Sequence, residues 1–310
     1  MVDGKRRVAL LAGMLTPLCT VLVTGPGAAG TGAAAGGAGA VTAGGVDLPA
    51  PGAVPAGHKV HRRQTVLTGS YNWSGYTEFA SANDTDAPVR TGTYTAVEDS
   101  WTVPTVTPKG IAYSSDWVGI GGVSDTDPQG YQDDTLVQAG TEADSHRHKT
   151  VYQAWTELLP AAETVLPGIT VHPGDHMTVV VEEVATNEWT TTVTDVTRGT
   201  SQSTTYRTHV SGASAEAVHE RPEVGSHLAK LAVTTPATFT PGFYSTSAPG
   251  SPTTWTPLLD PGSDTTLLDM VMVTVKHRTL VTLATPSGAS TDDEGFTVAD
   301  GSATPRPPSS

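Results

Sequence analysis

Short segments of alternating apolar and polar residues, each closed by turn residues, recur through most of this chain and leave room for little but strands. Trp73-Ser74-Gly75-Tyr76 is one, and residues 94–103, stopped by Pro104, form another. Ile169-Thr170-Val171 runs into the turn Pro173-Gly174-Asp175 and then into residues 177–182. Residues 190–195, 231–234, 270–275 and 280–283 continue the pattern, and 291–300 reads as a last strand. A period of two puts successive side chains on opposite faces of a sheet. Its repetition at this spacing predicts an all-β fold, an antiparallel β-sandwich. Charged residues are only 15% of the chain, and 310 residues suffice for one large β domain.

The first 29 residues read as a signal peptide. Lys5, Arg6 and Arg7 precede an apolar run over 8–23 that is too short for a membrane span, and Gly25-Pro26-Gly27-Ala28-Ala29 offers a cleavage zone. Cys19, the single cysteine, falls inside that signal, so the exported chain is expected to have no disulfide. Residues 30–69 are expected to be a disordered leader or propeptide, since 30–57 are nearly all Gly, Ala, Val, Thr and Pro. The basic patch His58-Lys59-Val60-His61-Arg62-Arg63 suits a processing site. Residues 70–300 form the expected folded domain, and 301–310 a disordered Pro/Ser tail.

The formal net charge is −14, and loss of Lys5, Arg6, Arg7 and Asp3 with the signal makes it two charges more negative. Such a surface argues against nucleic acid or an anionic membrane as partner. It suits an exported monomer with no cofactor, and life at low pH where carboxylates protonate.

Three motifs fall in a fixed order: Asp116-Trp117-Val118-Gly119-Ile120-Gly121-Gly122, then Leu136-Val137-Gln138-Ala139-Gly140-Thr141, then Tyr152-Gln153-Ala154-Trp155-Thr156-Glu157. Asn72-Trp73-Ser74-Gly75-Tyr76 precedes them, and Ala215-Glu216 with Glu220-Arg221-Pro222 follows. In this order the chain resembles the glutamic peptidases (the eqolisin family), secreted proteases that work in acid, over about residues 71–300. The resemblance implies a sandwich of two sheets, polypeptide substrates and a catalytic pair, Gln138 and Glu216. It also implies supporting roles near that pair for Trp73, Trp117, Trp155, Glu157 and Glu220. Trp117 and Trp155 would wall the cleft, and Glu157 would tune Glu216 through like charge. The family pattern carries Asp-Gly after WVGI and Trp after the catalytic Glu, where this chain has Gly121-Gly122 and Ala217.

Such a pair suffices for hydrolysis without metal or nucleophilic side chain. An ionised Glu216 can take the proton of a water, the Gln138 amide can hold the developing oxyanion, and Glu216 can return the proton to the leaving amine. A carboxyl near its reference value of about 4.3 has both forms at hand only in acid.

Two other readings stand beside this one. One is a non-catalytic extracellular module that binds a polypeptide or glycan, favoured by Gly121 and Ala217. The other is a glycosidase using Glu157 and Glu216, which retention or inversion would place about 5.5 or 6.5–9.5 Å apart. Asp125-x-Asp127-x-Gln129-Gly130 begins like a calcium loop, but Pro128 and Leu136 at the twelfth position break it. His146-Arg147-His148 beside Glu142 and Asp144 could hold a metal, though an exposed polar hairpin fits as well. Asn72 and Asn83 begin glycosylation sequons. GxSxG, HExxH and Asp-Thr/Ser-Gly are all absent, which argues against the α/β-hydrolase serine, HExxH zinc and pepsin-type routes.

Overall fold

A computed structural model describes residues 21–23, 65–79, 93–123, 135–225, 227–260 and 265–309. The regular structure among them is entirely strand. Thirteen described strands have five residues or more: β1 (Thr65–Ser70), β2 (Trp73–Phe79), β3 (Ala96–Thr102), β4 (Ser115–Gly121), β5 (Leu136–Arg147), β6 (Lys149–Leu158), β7 (His176–Ala185), β8 (Glu188–Asp195), β9 (Thr200–Arg207), β10 (Ser214–Glu220), β11 (Thr266–Lys276), β12 (Thr279–Pro286) and β13 (Phe296–Asp300).

The front sheet runs β1–β11–β2–β10–β4–β5–β6, antiparallel except for the parallel pair β1–β11. The rear sheet runs β9–β8–β7–β3, then through the short strand Ala237–Phe239 to β13 and β12. The hairpin β11–β12 joins the two. Leu267–Met272 pairs with β1 in front, Met272–Lys276 pairs with β12, and the end of β12 pairs with β13 behind. A register shift at Met272/Val273 marks the corner.

Alternation sorts the residues as expected of a sandwich. Tyr76, Ala217, Val118, Ala139 and Ala154 of the front sheet meet Val97, Trp101, Met177, Val179, Val181, Trp189 and Val193 of the rear one in the main core. Polar pairs also cross it. Trp101 Nε1 donates to Thr141 Oγ1 at 2.9 Å, and the Thr156 and Thr191 hydroxyls lie 2.7 Å apart. The exposed rear face carries a hydroxyl ladder, Thr192 with Ser203 at 2.8 Å and Thr194 with Ser201 at 2.9 Å.

Differences from the expected strands have local causes. The first strand of the sheet starts at Thr65, five residues before the anticipated domain boundary and just after Arg62-Arg63. Residues 231–234 make only isolated bridges, Val106 to Thr234 and Tyr113 to Leu231, because the segment facing them is interrupted by Pro104 and Pro108. Ile169 and Val171 are buried but belong to a turn region. Residues 291–295 form a turn, so the last strand is only Phe296–Asp300. Most of the signal and leader, the calcium-like loop and the Asn83 sequon lie outside the described residues.

Candidate active site

The outer face of the front sheet holds a second apolar cluster and, set within it, a row of polar side chains. Register fixes the row. Thr77 opposes Glu216, Glu216 opposes Gly119, Gly119 opposes Gln138, and Gln138 opposes Glu157. All five occupy one face of four adjacent strands and the next, β2–β10–β4–β5–β6. Glu216 and Gln138 are thus two strand spacings apart, roughly 9.6 Å between Cα atoms, with a glycine between them. A Cβ on Gly119 would sit 2.9 Å from Leu136 Cδ1, 3.0 Å from Trp117 Cζ3 and 3.2 Å from Gln138 Cβ. The bare backbone at Gly119 is therefore what lets Leu136 and Trp117 pack over the strand that separates the carboxyl from the amide.

The row two residues along the strands is apolar: Val218, Trp117, Gly140 and Trp155. Both tryptophans are buried, so they floor the site rather than stand as free walls. Their indole nitrogens are anchored. Trp155 Nε1 donates to Ser115 Oγ at 3.1 Å, and Trp117 Nε1 donates to Glu220 Oε2 at 2.7 Å. Asn72 Nδ2 donates to Glu220 Oε1 at 2.9 Å, and Trp73 packs edge-on against Trp117 with centroids 5.1 Å apart. Glu220 thereby ties the start of β2 to the tryptophan floor. Burial raises its pKa, and the donors Trp117, Asn72 and Trp73 partly offset that. The Asn72 amide nitrogen that a glycan would need is engaged with Glu220.

Glu216 is fully buried and Gln138 is 6% exposed. Gln138 Nε2 donates to Glu157 Oε2 at 2.6 Å. Glu157 lies beside Gln138, three strand spacings or about 14 Å in Cα terms from Glu216, so the amide is its direct partner. Burial, chiefly, pushes its pKa up to about 7, with Glu220 and Glu142 adding to the rise and the Gln138 amide opposing it. Sequence reasoning missed Glu163, which follows β6. Its backbone N–H donates to the Glu157 carboxyl and its own carboxyl meets that of Glu142. Burial and the neighbouring Glu142 raise Glu163 to about 9, and burial with Glu142 raises Asp144 to about 8. Only a count of carboxyls in the region could have hinted at this cluster, because the pairing is set by register.

The two family departures have distinct places. Gly121 has φ 94° and a Cβ there would meet Thr135 O at 2.2 Å, so no Asp fits that backbone. Ala217 faces the inter-sheet core between Tyr76 and Val118, on the face opposite Glu216. Its departure changes core packing, not the site. His146 reaches only Asp144, at 3.9 Å, and no three candidate metal ligands gather among the described residues.

The fold is thus a two-sheet β-sandwich that carries a Glu and a Gln on either side of a glycine on one sheet face. The chain belongs to the Peptidase A4 family, whose model matches residues 71–291, and it is accordingly a protease. A crystal structure of scytalido-glutamic peptidase with a transition state analog inhibitor is 18% identical over 74% of this chain and 98% of that one, with a TM-score of 0.55, and shows the same fold. The aspergilloglutamic peptidase from Aspergillus niger is 26% identical over 61% of this chain and 99% of that chain, with a TM-score of 0.46. A comparison with curated proteins found no match.

Proposed function

We propose that this protease is a secreted acid endopeptidase in which Glu216 and Gln138 share one water. The observation that carries the reading is the register row Glu216–Gly119–Gln138, which puts a carboxyl and an amide on one face of the sheet with only a glycine between them. Glu216 takes the proton of the water, which attacks the scissile carbonyl. The amide N–H of Gln138 holds the developing oxyanion, and Glu216 hands its proton to the departing amine. The buried surroundings strengthen both interactions, because few waters compete. Trp117, Trp155 and Trp73 keep the floor dry and fixed, and Glu220 locks two of them in place.

Residues 1–29 act as the export signal in this reading. Processing after Arg62-Arg63 would release a monomeric chain that still holds β1 intact. The test is peptide release from denatured protein between pH 2 and 7 by residues 64–310. Glu216→Gln and Gln138→Ala are each expected to lower kcat/KM by about 10²–10⁴-fold. Release is expected to resist both EDTA and pepstatin. Undiminished turnover in Glu216→Gln would end the assignment of that residue.

A further inference from the structure

Building on the reading of Gln138 as oxyanion donor, we infer that Glu157 is a proton-controlled positioning residue that decides which end of the Gln138 amide faces the peptide. The two side chains are cross-strand partners in register, in contact at 2.6 Å and both buried. A carboxamide has two unlike ends: Nε2 only donates and Oε1 only accepts. A carboxylate can only accept, so an ionised Glu157 must hold Nε2, the arrangement seen here. That costs the site one of its two N–H groups. It also leaves Gln138 Oε1 buried with no hydrogen-bond partner among the described residues, as is Glu157 Oε1. An acceptor turned toward a developing oxyanion repels it.

A proton on Glu157 lifts that requirement. The carboxyl then carries one O–H that needs an acceptor, and a half-turn of the Gln138 amide brings Oε1 to the same contact. Gln138 Oε1 is satisfied, and both N–H groups of Nε2 are released from Glu157. No bond is made or broken beyond the proton on Glu157, which comes from solvent.

The groups bearing on Glu157 favour keeping that proton through the acid range. Glu220 on β10, Glu142 on β5 and Glu163 after β6 are all acidic, and the Tyr206 phenol of β9, on the inner side of the sheet, feels its charge. The opposing influences are the Gln138 amide and the backbone N–H of Glu163. The proton therefore leaves near pH 7, and the productive amide orientation leaves with it. Acid dependence in this site then has two sources, Glu216 for the chemistry and Glu157 for the donor.

The test compares pH profiles of kcat/KM, each normalised to its own maximum, for the parent chain and for Glu157→Gln. The substitution supplies an N–H to Gln138 Oε1 at every pH, so the alkaline limb is expected to move up by about one unit, which is roughly tenfold in relative activity on that limb. A second measurement needs no turnover. The side-chain amide signals of Gln138 in an NMR titration should shift with one inflection near neutrality in the parent and stay flat in folded Glu157→Gln. Identical alkaline limbs, or a parent Gln138 amide that ignores pH from 5 to 8.5, would overturn the inference. Activity surviving Gln138→Ala would instead sink the donor reading, while the amide titration would still decide whether Glu157 controls the amide.

Discussion

Two buried acidic regions of this molecule use the same residue types in opposite ways. Behind the turn that enters β7, Asp175 and Asp195 are buried but share Arg198, which lies 3.1 Å from Asp175 and 3.4 Å from Asp195. On the front face Glu142, Asp144, Glu157 and Glu163 crowd together with carboxyls as their nearest charged neighbours, apart from the half-exposed His146. The first arrangement matches each buried charge with a cation. The second can be buried only by staying largely protonated. Burial alone thus says little about what a carboxyl does, and its partner says most of it.

The largest expected effect breaks the front region as a whole. A carboxyl whose folded pKa is raised costs no stability below its unfolded value of about 4.5. Above that the unfolded chain ionises first, so stability falls until the folded pKa is reached. With folded values of about 7 to 9 for Glu157, Asp144 and Glu163, and about 8 for Glu78, the window runs from about pH 4.5 to 9. Urea midpoints measured from pH 4 to 9 should fall across it, with a loss of several kcal/mol in sum, each group contributing up to about 1.4 kcal/mol per pH unit. A flat profile would contradict the contrast outright.

A narrower break removes one raised carboxyl outside that cluster. Glu78 sits wholly buried against the Tyr94 hydroxyl, away from the site. Glu78→Gln should leave stability at pH 4 little changed and raise it at pH 7 by on the order of 3 kcal/mol. Denaturation at the two pH values checks this. The reverse operation turns the compensated region into the other kind. Arg198→Ala should cost about 1–2 kcal/mol at pH 7, read as a lower urea midpoint and moderated because the guanidinium is partly exposed.

The sequence made the sandwich legible because alternation reports directly on a half-buried sheet. It gave Gln138 and Glu216 only through the resemblance, since neither an amide in an apolar strand nor a Glu between alanines is rare. The geometry of the site was not legible. That Gly119 separates the pair, that Glu157 serves Gln138, and that Glu163 meets Glu142 all follow from strand register, which joins residues up to a hundred positions apart. β9 was missed because Thr200–Arg207 is polar on both faces and shows no apolar alternation. Leu231–Thr234 was read as a strand because its composition is right, while the prolines that spoil its partner lie elsewhere in the chain.

The corner at Met272/Val273 has a mechanical meaning. Because β11 and β12 carry the chain from the front sheet to the rear one, backbone hydrogen bonds stitch the two layers together at this corner. At the far margin, where β6 and β9 lie, the layers meet through side-chain contacts such as Thr156 against Tyr206 at 3.1 Å. The corner binds the sandwich like the spine of a book, and the margin opposite it is the side that carries Glu157. Yielding of the layers therefore falls on the strand that steers the amide, while the strand that carries Glu216 stays close to the binding.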